Sequence, residues 1–114
     1  MSVLDKFYKK DLLITKSLQI ENSLYDKLIY ISGELYDIPI NKLINACIDE
    51  LIESKNIRLY EHDISEILVK TTMTLREYSL KGLEELKDKY KISVYRLVNI
   101  AIRNIVDEVE MPLK

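Results

Sequence analysis

The chain repeats itself. Sliding the sequence by 54 positions lays IPINKLINACIDELIE, residues 38–53, over ISVYRLVNIAIRNIVD, residues 92–107. Ile38, Leu43, Asn45, Cys47, Ile48 and Leu51 then fall on Ile92, Leu97, Asn99, Ala101, Ile102 and Ile105. Upstream the offset becomes 55, which leaves one extra residue near Asp37 in the first copy. Leu18, Ile20, Leu28, Ile31 and Leu35 now match Met73, Leu75, Leu83, Leu86 and Tyr90. Each copy is about 40 residues, too short to bury a core alone; two copies packed on each other are long enough.

Both copies read alike. Polar and apolar residues first alternate with period two, in Thr15–Ile20 and in Lys70–Leu75, the pattern of a strand with one buried face. Helical spacing follows, through Leu24, Leu28, Ile31 and Leu35 in one copy and Leu83, Leu86 and Tyr90 in the other. A break at Tyr36–Pro39, or at Lys91–Ser93, leads to a more apolar second helix. Ser93 suits the N-cap of that helix, and Pro39 suits a first-turn position in the other copy. Two Gly and two Pro among 114 residues are too few for a many-stranded sandwich or barrel. The expected class is mainly α with a short two-stranded antiparallel ribbon.

Composition removes most chemistry. A single Cys (Cys47) and a single His (His62) leave no internal disulfide, no His/Cys metal site and no His-based triad within one chain. No enzyme activity, cofactor or small-molecule substrate is expected. No apolar run approaches a membrane span, and MSVLDKFYKK lacks the apolar core of a signal peptide, so the expectation is a cytoplasmic protein with no membrane partner.

Strand, helix, turn and apolar helix, seen twice, resemble the ribbon-helix-helix DNA-binding fold of the MetJ/Arc superfamily. There, strands from two chains pair into a ribbon that enters the major groove. Here both copies lie in one chain, which resembles the tandem regulators of archaeal viruses. The resemblance covers residues 13–54 and 69–108, with a basic arm at 1–12, a linker at 55–68 and a tail at 109–114. It implies two ribbon-helix-helix repeats forming an intramolecular pseudo-dimer, a transcriptional regulator whose partner is double-stranded DNA. Self-association of chains on adjacent subsites is allowed by the same resemblance.

In such a fold Leu18, Ile20, Met73 and Leu75 point inward, and Thr15, Ser17, Gln19, Lys70, Thr72 and Thr74 become the base readers. Lys can donate to guanine, Gln can pair with adenine, and Ser or Thr can contact either. The N-termini of the second helices become the phosphate sites: Asn41 and Lys42 after Pro39, and Ser93, Val94, Tyr95 and Arg96 in the other copy. Pro39 offers neither a side-chain cap nor an N–H, which predicts a weaker grip there. A solvated strand face that binds nothing would also be polar, but it would not be expected to exclude acids.

Net charge is −2, so overall charge does not announce a DNA binder. Its distribution is uneven: residues 15–52 carry three bases and six acids, residues 70–103 eight bases and four acids. The second copy is therefore expected to attract phosphate more strongly. Lys6, Lys9 and Lys10 beside Phe7 and Tyr8 are candidates for a basic arm along the backbone. The rival readings are a protein-interaction module on the same scaffold and, third, an antitoxin with a short tail.

The remaining singular residues read as structural. Cys47, opposite Ala101 in the repeat, is a packed small residue, and His62 a solvated linker residue. Asn45 and Asn99 share a position inside an apolar helix and are expected to hydrogen-bond across the repeats or to the turn. Tyr25, Tyr30, Tyr36, Tyr78 and Tyr90 fall at helical spacings and are expected to be half-buried. Asp63–Leu68 is a candidate helical turn. Gly33 and Gly82, inside helices, cost about 1 kcal/mol each relative to Ala unless close packing requires them.

Overall fold

The computed structural model describes residues 13–59 and 66–110; the arm at 1–12, His62 and residues 111–114 lie outside that range. The described chain is mainly helical, with one two-stranded antiparallel sheet and four helices. Strand β1 (Leu13–Glu21) leads into helix α1 (Asn22–Tyr30), which continues as a π-helical turn (Ile31–Leu35), and then into α2 (Ile40–Ser54). Strand β2 (Leu68–Arg76), α3 (Glu77–Tyr90) and α4 (Val94–Glu110) repeat that order.

The strands outrun the alternating segments because every residue from Leu13 to Glu21 keeps a partner, from Leu13 opposite Arg76 to Glu21 opposite Leu68. Leu68 thus belongs to β2 rather than to the linker, and Glu66–Leu68 form no helical turn. One ribbon face is buried through Leu18, Ile20, Met73 and Leu75, as the alternation predicts. A lone two-stranded ribbon is marginal in water. Here its apolar face is covered by side chains from all four helices, in one core that includes Leu28, Ile44, Ile48, Leu83, Val98 and Ile102.

The second helices, α2 and α4, make the most extensive contact between helices in the fold. Cys47 and Ala101 are both buried, as their small size and shared repeat position suggest. Burial pushes the Cys47 thiol up to about 12, which leaves it protonated and unreactive at neutral pH.

The extra residue of the first copy falls at Tyr36, and the π turn absorbs it. The Tyr36 N–H reaches the Ile31 carbonyl at 3.1 Å, one residue further back than an α-helix allows. Both breaks then reverse through a left-handed residue at equivalent positions, Asp37 (φ 50°) and Lys91 (φ 57°). Apolar spacing misleads at these helix ends. Leu35 is 42% exposed and Tyr90 37% exposed, because each sits in the last turn, where the helix runs past the core. Tyr30, Tyr36 and Tyr78 are exposed as well, and of the five tyrosines singled out only Tyr25 packs against the core.

The connecting segment is fastened at both described ends. Lys55 ends α2 in the left-handed conformation. Arg58 then donates to Asn104 (2.8 Å) and Asp107 (2.6 Å) on α4. At the far end Glu66 accepts the Ser23 N–H (2.8 Å) and the Ile67 carbonyl accepts that of Asn22 (2.9 Å), occupying open donors at the start of α1.

The two helical glycines differ. A Cβ at Gly82 would stand 2.6 Å from Ile52 Cδ1, so α3 approaches α2 closely there, whereas a Cβ at Gly33 meets nothing within 4 Å. Gly33→Ala is expected to stabilise by up to about 1 kcal/mol through helix propensity. Gly82→Ala is expected to lose about 1 kcal/mol or more through overpacking. Adding Ile52→Val removes the nearest atom but leaves Cγ1 at 2.9 Å and Cγ2 at 3.0 Å, so it should recover only part of that loss; urea midpoints read all three.

Candidate nucleic-acid interface

The six outward polar residues form one surface. The register sets Thr15 opposite Thr74, Ser17 opposite Thr72 and Gln19 opposite Lys70. Five of the six are exposed and Thr74 is half-buried. Thr74 turns both its N–H and its carbonyl away from β1, toward α2. Its pairing with Thr15 is therefore of the non-hydrogen-bonded kind, and the alternation of an antiparallel ladder makes the other two pairs so as well. Opposed side chains are closest in such pairs, so the six present three adjacent couples.

Antiparallel pairing sorts these couples by end rather than by repeat. Gln19 from the first strand and Lys70 from the second, the two longest of the six, share one end, and the shorter Thr15 and Thr74 share the other. The periodicity of either strand alone does not reveal this. Ser17 and Thr72, related by the 55-residue offset, face each other at the centre.

Both ribbon edges are closed by asparagines from the second helices. Asn41 Oδ1 accepts the Thr74 N–H (3.0 Å), and Asn45 Nδ2 donates to the Thr74 carbonyl (2.9 Å) and to Asn41 O (2.9 Å). On the other edge Asn99 Oδ1 accepts the Glu21 N–H (2.9 Å), while its Nδ2 donates to Gln19 O (3.0 Å) and Tyr95 O (2.9 Å). Asn45 and Asn99 thus do structural work at equivalent places, Thr74 and Gln19 being equivalent under the offset. The same bonds hold the start of α2 against the Thr74 end of the ribbon and the start of α4 against the Gln19 end.

The residues assigned to phosphate are not equally available. Lys42 and Arg96 are exposed in the first turns of α2 and α4. Ser93 caps α4, its Oγ accepting the Arg96 N–H at 3.3 Å. Asn41 commits its side chain to Thr74 and keeps its backbone N–H, the group expected to meet an anion there. The Tyr95 hydroxyl oxygen is buried. Burial, with the Glu21 carboxylate nearby, pushes that phenol above its ordinary range, so it stays neutral. Tyr95 and half-buried Val94 can therefore meet a phosphate only through their backbone N–H groups.

The expected weakness of the α2 end is not what donor geometry favours. Pro39 stands at the N-cap, not inside the first turn, and makes no side-chain cap. The first helical bond is from the Leu43 N–H to Pro39 O (3.1 Å), so the N–H groups of Ile40, Asn41 and Lys42 all precede it. In α4 the Arg96 N–H is already used by Ser93, leaving those of Val94 and Tyr95.

An ion-pair network was not legible in the sequence. Arg76, at the end of β2, pairs with Asp49 of α2, whose other oxygen accepts the buried Ser79 hydroxyl at 2.5 Å. Arg76 is thereby tied to protein. Among the described residues no three His, Cys, Asp or Glu side chains stand together as metal ligands would, and no helix is long and apolar enough to cross a membrane. Comparison with known protein families, curated proteins and solved structures finds no match for this chain.

Proposed function

We propose that this chain is a sequence-specific binder of double-stranded DNA and a transcriptional regulator acting in the cytoplasm, with its ribbon in the major groove. The observation that carries the reading is the outer ribbon face: three directly opposed pairs of Thr, Ser, Gln and Lys side chains, without an acid, flanked by two helix N-termini. A two-stranded ribbon fits the major groove, and N-termini with open N–H groups suit the phosphates on either side.

The finer reading is a tandem ribbon-helix-helix pseudo-dimer. It is supported by Ser17 facing its own equivalent, Thr72, and by Asn45 and Asn99 each reaching the strand of the other repeat. Homodimers of this kind read palindromes because their two strands are identical. With Gln19 and Lys70 at one end and Thr15 and Thr74 at the other, one chain should select a non-palindromic subsite.

Selection of bound duplexes from a random library by the purified protein tests this. The expected result is an enriched asymmetric consensus. A palindromic consensus within one subsite would overturn the asymmetric readout. No enrichment, with weak binding gone by about 200 mM salt, would leave non-specific phosphate attraction alone. The protein-interaction reading would then lead, drawing on the exposed apolar side chains Ile29, Tyr30, Leu35 and Tyr36 of the first repeat.

A further inference from the structure

The Arg76–Asp49 pair joins the strand of one repeat to the second helix of the other. The repeat offsets carry Arg76 to Glu21 and Asp49 to Arg103, so the equivalent positions hold the same two charges exchanged. That the equivalence is spatial follows from the edge clamps, where Asn45 meets Thr74 as Asn99 meets Gln19. The strand position is thus basic in repeat 2 and acidic in repeat 1, while the helix position is acidic in repeat 1 and basic in repeat 2.

We propose that these four residues make the two repeats mutually selective partners, locking repeat 1 to repeat 2 and rejecting pairing between like repeats of two chains. Were repeat 1 to pair with repeat 1 of a second chain, Glu21 would face Asp49 at both ends of the shared ribbon. Glu21 is buried, so the repulsion would act in a poorly solvated place. Were repeat 2 to pair with its like, Arg76 would face Arg103 at both ends. Only the mixed pairing sets opposite charges together twice. The Arg76 and Asp49 side chains are 43% and 24% exposed, which suits a selector of partners better than a large source of stability. The device preserves the asymmetric outer face, since like pairing would create two symmetric ribbons instead.

The inference rests on two equivalent repeats paired through their strands and is independent of DNA binding. Its test uses the position of Ser17. In the mixed ribbon Ser17 faces Thr72, but in a repeat 1 pair it would face its own copy. With Cys47→Ala to leave one thiol, Ser17→Cys reports like pairing as an oxidised two-chain product; Ser54→Cys, exposed and away from the ribbon, measures random collision. Ser17→Cys with Thr72→Cys in one chain should close a disulfide within the chain.

Native charges should leave Ser17→Cys no more cross-linked than the Ser54→Cys control. Exchanging one pair, Arg76→Glu with Asp49→Arg, keeps opposite charges in the mixed pairing but makes both like pairings attractive. Cross-linking should rise about tenfold, since two charge contacts change sign in each like pair. Exchanging Glu21→Arg with Arg103→Glu should do the same, so either variant serves if the other folds poorly. Making both exchanges restores repulsion in every like pair, and cross-linking should fall back. Equal cross-linking in all backgrounds, with the Ser17–Thr72 disulfide formed, would overturn the lock. Failure of that disulfide would instead overturn the pairing of the two repeats on which it stands.

Discussion

Replacing Gln19 and Lys70 together by Ala should abolish sequence preference and lower affinity for the selected duplex about 100-fold or more, while Thr15→Ala with Thr74→Ala should cost about tenfold or less. Gln19 and Lys70 stand opposite each other at one end of the outer face, so a single patch carries both long side chains. A good bidentate base contact is worth about 1–3 kcal/mol of discrimination, whereas short hydroxyls contact either kind of base with less selectivity. The patch also adjoins the start of α4, where Arg96 is exposed. On the proposed function, base reading and phosphate attraction would therefore coincide at that end. Gln19, Lys70 and Thr15 are exposed and Thr74 is half-buried, and none belongs to the apolar core, so circular dichroism and melting should stay close to native. Single variants assign the roles. Lys70→Ala should relax preference at one base; a uniform loss over all sequences, with the salt slope smaller by about one, would make Lys70 a phosphate contact instead. Comparable losses from the Gln19/Lys70 and Thr15/Thr74 variants would sink the idea of a dominant end.

Much of this architecture was legible because repetition and periodicity act on the same residues. Leu18, Ile20, Met73 and Leu75 alternate with polar neighbours and are buried; Cys47 and Ala101 are small at one shared position and are both buried. Ser93 caps its helix because its hydroxyl sits three residues before an open N–H. What escaped is set by geometry between segments. Periodicity marks Leu35 and Tyr90 as apolar positions but carries no information on where a helix runs past its core. Asn41 and Lys42 look equally free in a first turn, yet only Asn41 stands beside an unpaired strand edge, which takes its side chain. The sharing of one end by Gln19 and Lys70 exists only once the strands run antiparallel in this register. The Arg76–Asp49–Ser79 network likewise joins three elements that no local pattern connects.

Asn99→Ala should be the most damaging single polar substitution in the core, costing about 2–4 kcal/mol, while Asn45→Ala should cost about 1 kcal/mol. Both residues close a ribbon edge, and an open edge leaves backbone groups without partners. Asn99 is 1% exposed and satisfies the Glu21 N–H and the Gln19 carbonyl at once. Removing it strands a donor and an acceptor where water has little access, and leaves a cavity in place of a fully buried side chain. Asn45 is half-buried, and its Oδ1 has no hydrogen-bond partner among the described residues. Its loss removes that orphan, and Thr74 keeps Asn41, which still takes its N–H and lies 3.4 Å from its carbonyl. The asymmetry thus follows from redundancy: one edge has two asparagines, the other a single one. Thermal midpoints should fall by about 10 °C or more for Asn99→Ala and by about 5 °C for Asn45→Ala. Asn45→Ala with Asn41→Ala should then approach the Asn99→Ala loss, because together they strip the second edge. If that double variant were no worse than Asn45→Ala alone, edge closure would not be what these asparagines contribute. Losses equal at positions 45 and 99 would rule out the redundancy.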